Sequence, residues 1–155
     1  MILLLLAGCA SKEVRTSTKM EGRYVLSAPD GAWERVRPGG ADHAWWNPDL
    51  SASYYVDSNC GVRFEDIALS RLVDAQLNGV GQGDALSEEY FTLDGREAYT
   101  RLTLGRIDGV PVELSVTVMN KNQCTYDFVL VAPRGEPFGA AWSDVRPTIM
   151  GFHTE

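Results

Sequence analysis

The chain has 155 residues, 45% of them hydrophobic and 23% charged, with a formal net charge of −7. That size and balance suit one globular domain whose core needs neither a metal nor a crosslink. The acidity argues against nucleic acid as a partner and against polybasic attachment to anionic lipid; it is read as a solubility feature.

The chain opens with the apolar run Met1 to Gly8, followed by Cys9, Ala10 and Ser11. The run is shorter than the ~20 apolar residues that span a bilayer, but it suits the apolar core of a secretory leader. Leu6-Ala7-Gly8-Cys9 resembles the lipobox of bacterial lipoproteins. The resemblance implies a signal peptide over residues 1–8, a diacylglycerol on Cys9, and cleavage before it. Ala10 after the cysteine then points to the outer membrane. Basic residues before the apolar run are missing, so the true start lies upstream or the leader is unusually short. Residues 9–22 hold only Val14 and Met20 as large apolar side chains, which predicts a solvated tether. Residues 23–155 are then the single folded domain.

Within that domain, Arg23 to Ser27 reads as a short strand and Pro29-Asp30-Gly31 as a turn. Trp33 is expected in the core, and Arg37 to Gly40 is a loop. His43 to Asn47 and the alternating Ser51 to Ser58 are two more strands. From Phe64 to Asn78 the period changes, with Phe64, Ile67, Ala68, Leu72 and Ala75 on one stripe and Val73 at its margin. That predicts an amphipathic helix with Glu65 and Asp66 in its first turn and Asn78-Gly79 at its end. Glu88 to Ala132 then reads as a four-stranded meander. Asp94-Gly95 and Asp108-Gly109 are type I′ turn dipeptides, and Asn120 to Asn122 makes the third turn.

In the third strand of the meander, Val110, Val112, Leu114, Val116 and Val118 share one face; Pro111, Glu113, Ser115, Thr117 and Met119 share the other. That alternation predicts one buried and one wet face. Phe138, Trp142, Val145, Ile149 and Phe152 form the strongest helical stripe, with a kink or break expected at Pro147. This helix is expected across the valine face of the strand, beside the earlier helix. The fold class is α+β, an antiparallel sheet of about six strands packed with two main helices.

The order of elements resembles the PsbP-like fold. The resemblance rests on Pro29-Asp30-Gly31-Ala32-Trp33 after the first strand, the helix after the third strand and the meander. It rests also on Cys124-Thr125-Tyr126-Asp127-Phe128 and the closing Gly151-Phe152. It implies helices on both sheet faces, against the open face that the strand alternation predicts.

The sequence has no Gly-x-Ser-x-Gly, phosphate-loop, dinucleotide or Cys-x-x-Cys motif. His43 and His153 are read as surface residues, and no clustered set of ligands predicts a metal. No cofactor and no catalytic residue is expected. With Cys9 lipidated, Cys60 and Cys124 have the parity for one disulfide in an oxidising compartment; two separate buried thiols or one reactive thiol are the other readings. One of the adjacent Trp45 and Trp46 must face away from the other on a strand. Together with Tyr55, Tyr99 and Arg101 they are the candidate binding surface. The expected function is that of a lipid-anchored, non-enzymatic envelope protein on the periplasmic face of the outer membrane, binding another protein or envelope component. The alternative is a small-molecule or lipid carrier with a cleft between sheet and helix.

Overall fold

A computed structural model describes residues 22–61, 66–80 and 84–155. The leader, Cys9, all of the tether but Gly22, and Phe64 and Glu65 at the expected start of the first helix lie outside the described residues.

The strands are β1 (Tyr24–Val25), β2 (Glu34–Val36), β3 (His43–Asn47), β4 (Ala52–Cys60), β5 (Ala85–Leu93), β6 (Arg96–Ile107), β7 (Val110–Lys121), β8 (Cys124–Pro133) and β9 (His153–Thr154). The helices are α1 (Leu69–Leu77), between β4 and β5, and α2 (Glu136–Met150), between β8 and β9. Seven strands form one antiparallel sheet in the order β2-β3-β4-β8-β7-β6-β5, and β1 pairs with β9 in a separate ribbon. The α+β fold is as expected. Its main sheet has one strand more than anticipated, because Glu34–Val36 is too short to show a period.

The meander follows its turn chemistry. Asp94-Gly95 and Asp108-Gly109 take positive φ at both central positions, as the type I′ turn requires. The third turn does so at Asn122 and Gln123, slightly later than predicted.

The wet face does not exist. From Val112 to Met119, β7 is buried at every residue but Glu113, which is half-buried. Val116 and Val118 pack with Val129 and Tyr99 under Val73 of α1, flanked by Leu69, Leu72 and Leu77. On the other face, Tyr54, Val56, Met119, Phe128 and Leu130 meet Phe138, Ala141, Val145 and Ile149 of α2, and Phe152. The helices therefore cover opposite faces. α2 does not lie on the valine face of β7 as expected; α1 covers that face. The stripe on α2 finds its partner in the large apolar residues of β4 and β8. Both small polar residues of β7 on that face are buried: the Thr117 hydroxyl lies 2.6 Å from that of Thr100, whereas the Ser115 hydroxyl has no hydrogen-bond partner among the described residues.

Both helices also differ in detail. α1 begins only after Ala68, so Asp66 precedes it rather than sitting in its first turn. α2 runs through Pro147 to Met150 without breaking. Gly22, the first described residue, has no room for a side chain: a Cβ there would lie 2.6 Å from the Tyr126 ring.

Candidate functional site

α1 lies over β6 and β7, so among the described residues no helix covers the same sheet face at β2, β3 and β4. Tyr55 lies at the boundary, half-buried and packed against the α1-side core. Beyond it the sheet floors an open groove of about 460 Å³, with Ala44, Ser53, Tyr55 and Asp57 on the strands and the loop at Arg37 and Pro38 as the wall. Gly39 and Gly40 in that loop take φ of 66° and 148°, a path that a side chain would strain. Burial raises the Tyr55 hydroxyl pKa, and the negative charges of Asp127 and Asp57 add to the shift.

Only part of the anticipated surface belongs to this groove. Trp46 is paired in register with Ser53, and Tyr55 with Ala44, so the two aromatic side chains share the groove's face. Trp45 points to the opposite face, is buried, and stacks on Tyr54 with ring centroids 5.3 Å apart. Tyr99 is buried too and lies three strands from Tyr55, on β6. Its hydroxyl donates to Glu88 Oε1 at 2.5 Å. Arg101 donates through Nε to the same oxygen at 3.0 Å, and through Nη1 to Asp74 of α1 at 2.5 Å. Tyr99 and Arg101 thus tie α1 to β5 and β6 and are not an open surface. The polar residues of the meander divide between the two faces: Glu113, Ser115 and Thr117 face α2, whereas Tyr99, Arg101, Thr103, Thr125 and Asp127 face α1's side. Sequence reasoning missed Asp57 and the Arg37 loop as groove residues; the turn signal at Pro38-Gly39-Gly40 was legible, but the partner strand was not.

The remaining reactive types are tied into the fold. Cys60 and Cys124 sit directly opposite each other at the ends of β4 and β8 and are joined by a disulfide, S–S 2.02 Å. His43 is half-buried, and its Nδ1 accepts a hydrogen bond from Arg35 at 2.7 Å. Burial lowers its pKa, and the nearby Arg35 cation lowers it further. His153 is exposed on β9. Buried Asp42 accepts from the Tyr24 hydroxyl at 2.9 Å and the Ser58 hydroxyl at 2.6 Å, while the Gly22 amide donates to Ser58. Among the described residues no three His, Cys, Asp or Glu side chains are placed to hold a metal. Between α2 and the sheet, beside Trp142, the space is about 10 Å³, near the volume of one water rather than a ligand cleft. No described helix is long and apolar enough to cross a membrane.

No protein-family model matches this chain, and no curated protein matches it by sequence. The fold is nevertheless shared with solved structures. Cyanobacterial PsbP (CyanoP) from Synechocystis aligns with a TM-score of 0.56 at 14% identity, over 85% of this chain and 86% of that one. LpqN of Mycobacterium tuberculosis, described as involved in cell envelope biogenesis, aligns at 0.55 and 15%, over 88% and 87%. The Saccharomyces cerevisiae Ran-binding protein Mog1p aligns at 0.56 and 18%, over 87% and 96%. A Bacteroides thetaiotaomicron structure aligns at 0.59 and 10% over 88% of this chain, which spans 49% of that longer one. At these identities the likeness is one of fold: this chain has the α+β architecture of PsbP and Mog1.

Proposed function

We propose that this chain is a non-enzymatic binding protein of the bacterial cell envelope, held at the membrane by a lipid on Cys9 and docking another protein or envelope component. The observation that carries the binding role is the open groove over β2–β4, where α1 leaves aromatic and charged side chains in reach of a partner. Mog1p offers a precedent for protein binding on this architecture, and LpqN for a place in envelope biogenesis. The anchoring rests on Leu6-Ala7-Gly8-Cys9 and on the polar residues that follow, long enough to let the domain stand off the bilayer. Two or more acyl chains make attachment stable rather than marginal.

Two variants test this reading. Cys9→Ser is expected to move the protein from the membrane pellet, washed in high salt, to the soluble envelope fraction; retention in the pellet would place the anchor elsewhere. Ser53→Arg projects a long cation into the groove from an exposed position. In the membrane-bound protein it is expected to abolish in-cell crosslinking of a partner to a photoreactive residue at position 37. Val110→Ser, on the exposed β6–β7 turn, is expected to leave the crosslink intact. Crosslinking that survives Ser53→Arg would remove the groove from the binding role.

A further inference from the structure

The far edge of the sheet, at β5, lies away from the groove and is exposed. Protein sheets blunt their edges with short strands, charges or bulges. β2 is blunted by length, at three residues. β5 is nine residues long, has no neighbour beyond it among the described residues, and is exposed from Ala85 to Tyr90. Leu86 and Tyr90 are more than half exposed, so the strand presents apolar side chains together with a row of outward N–H and C=O groups. A bulge between Ala85 and Ser87 breaks the regularity only at its first residues.

Two carboxylates select what such an edge accepts. Glu88 and Glu89 are consecutive at the middle of the strand, so they project to opposite faces of the sheet. Each stays about half exposed although it has a cation beside it: Arg101 at 3.0 Å from Glu88, and Arg146 at 3.7 Å from Glu89. A second copy of this chain, itself carrying −7, is a poor occupant: antiparallel pairing centred on either glutamate sets it against its own copy. An incoming strand that complements both carboxylates needs one cation on each face, which means two consecutive Lys or Arg residues. The flanks must be apolar to meet Leu86 and Tyr90. We propose that β5 is a strand-addition site for an extended segment of a partner protein, with two adjacent basic residues flanked by β-branched or apolar ones.

The test uses the purified domain and two N-acetylated, C-amidated peptides, Thr-Val-Thr-Lys-Lys-Val-Thr-Val-Thr and the same sequence with Glu-Glu at its centre. Backbone amide shifts and hydrogen-exchange protection are read by NMR, with sedimentation of the domain alone alongside. The Lys-Lys peptide is expected to shift and protect amides of β5 and not those of β3 or β4, and to weaken as salt rises. The Glu-Glu peptide is expected to leave them unmoved. Glu89→Lys, a change at an exposed side chain, is expected to weaken the Lys-Lys peptide about tenfold without altering the remaining spectrum. Three results would overturn the proposal: no response at β5, equal response to both peptides, or self-association of the domain through β5. None of these outcomes bears on the groove, so the two surfaces stand or fall separately.

Discussion

Asp94 shows how one residue serves both local and distant structure. Its φ of 47° helps form the β5–β6 turn, and this role is legible from the Asp-Gly dipeptide. Its carboxylate also accepts hydrogen bonds from Lys121 Nζ and from the Thr154 amide and hydroxyl, each 2.8 Å away. These bonds join the meander to the final strand, across sequence distances that no local pattern reports. The bonds from Lys121 first, and then from Thr154, hold the carboxyl pKa at about 2, below its ordinary 3.8. A folded-state pKa below the unfolded value means stability present above pH ~4 and lost as pH falls toward ~2. Asp94→Asn keeps a side chain that tolerates positive φ and removes the charge. It is expected to lower the melting temperature at neutral pH, with the gap from the parent protein closing between pH 4 and 2. A gap that stays constant over that range, followed by circular dichroism, would remove Asp94 from the acid response. The candidate site was legible to the same limited degree: Trp45 and Trp46 had to face apart, but which side chain shared the groove's face of the sheet depended on register with β4.

At the scale of elements, type and order were legible and layering was not. The period of two along β7 was real, yet the inference of a wet face failed. A central strand between two helices is covered on both faces, so its small polar residues are buried as well: Thr117 pairs with the Thr100 hydroxyl, and Ser115 has no hydrogen-bond partner among the described residues. Periodicity within one strand cannot report what covers it, and β8, apolar on both faces from Phe128 to Ala132, was the better guide. The resemblance to the PsbP fold implied helices on both faces, and the layering agrees. The stripe on α2 also reads differently in place. Ile149 is buried, so Ile149→Ala is expected to cost about 2–5 kcal/mol. Trp142 is only half-buried beside a small void, so Trp142→Ala should fall below the ~3–5 kcal/mol of a fully buried aromatic. Denaturant melts that rank the two in the opposite order would show the helix rotated from this seating.

For the whole molecule, two covered faces leave the sheet's two ends as open surfaces: the groove at β2–β4, and the edge of β5. Six strand spacings separate the outer strands by roughly 29 Å, far enough apart for two partners to be held at once. Gly22, the first described residue, lies beside Tyr126 and Ser58, and the Cys60–Cys124 bridge closes the same end of β4 and β8. That bridge closes a loop with a sequence separation of 64 residues, which contains α1, β5, β6 and β7. In the chain-entropy model such a loop stabilises by about 4 kcal/mol, acting mainly on the unfolded chain. β4 and β8 are also held by eight paired positions in the sheet and by packing against α2, so the bridge reinforces contacts that the core already makes. Reduction, or the double change Cys60→Ser with Cys124→Ser, is therefore expected to leave the far-ultraviolet spectrum at 25 °C unchanged. It should lower the unfolding free energy in urea by up to ~4 kcal/mol. Non-reducing peptide mapping of the purified protein should recover the two cysteines as one linked fragment. Free thiols at both positions, or a urea midpoint indifferent to reductant, would show that the domain reaches its stability without the crosslink.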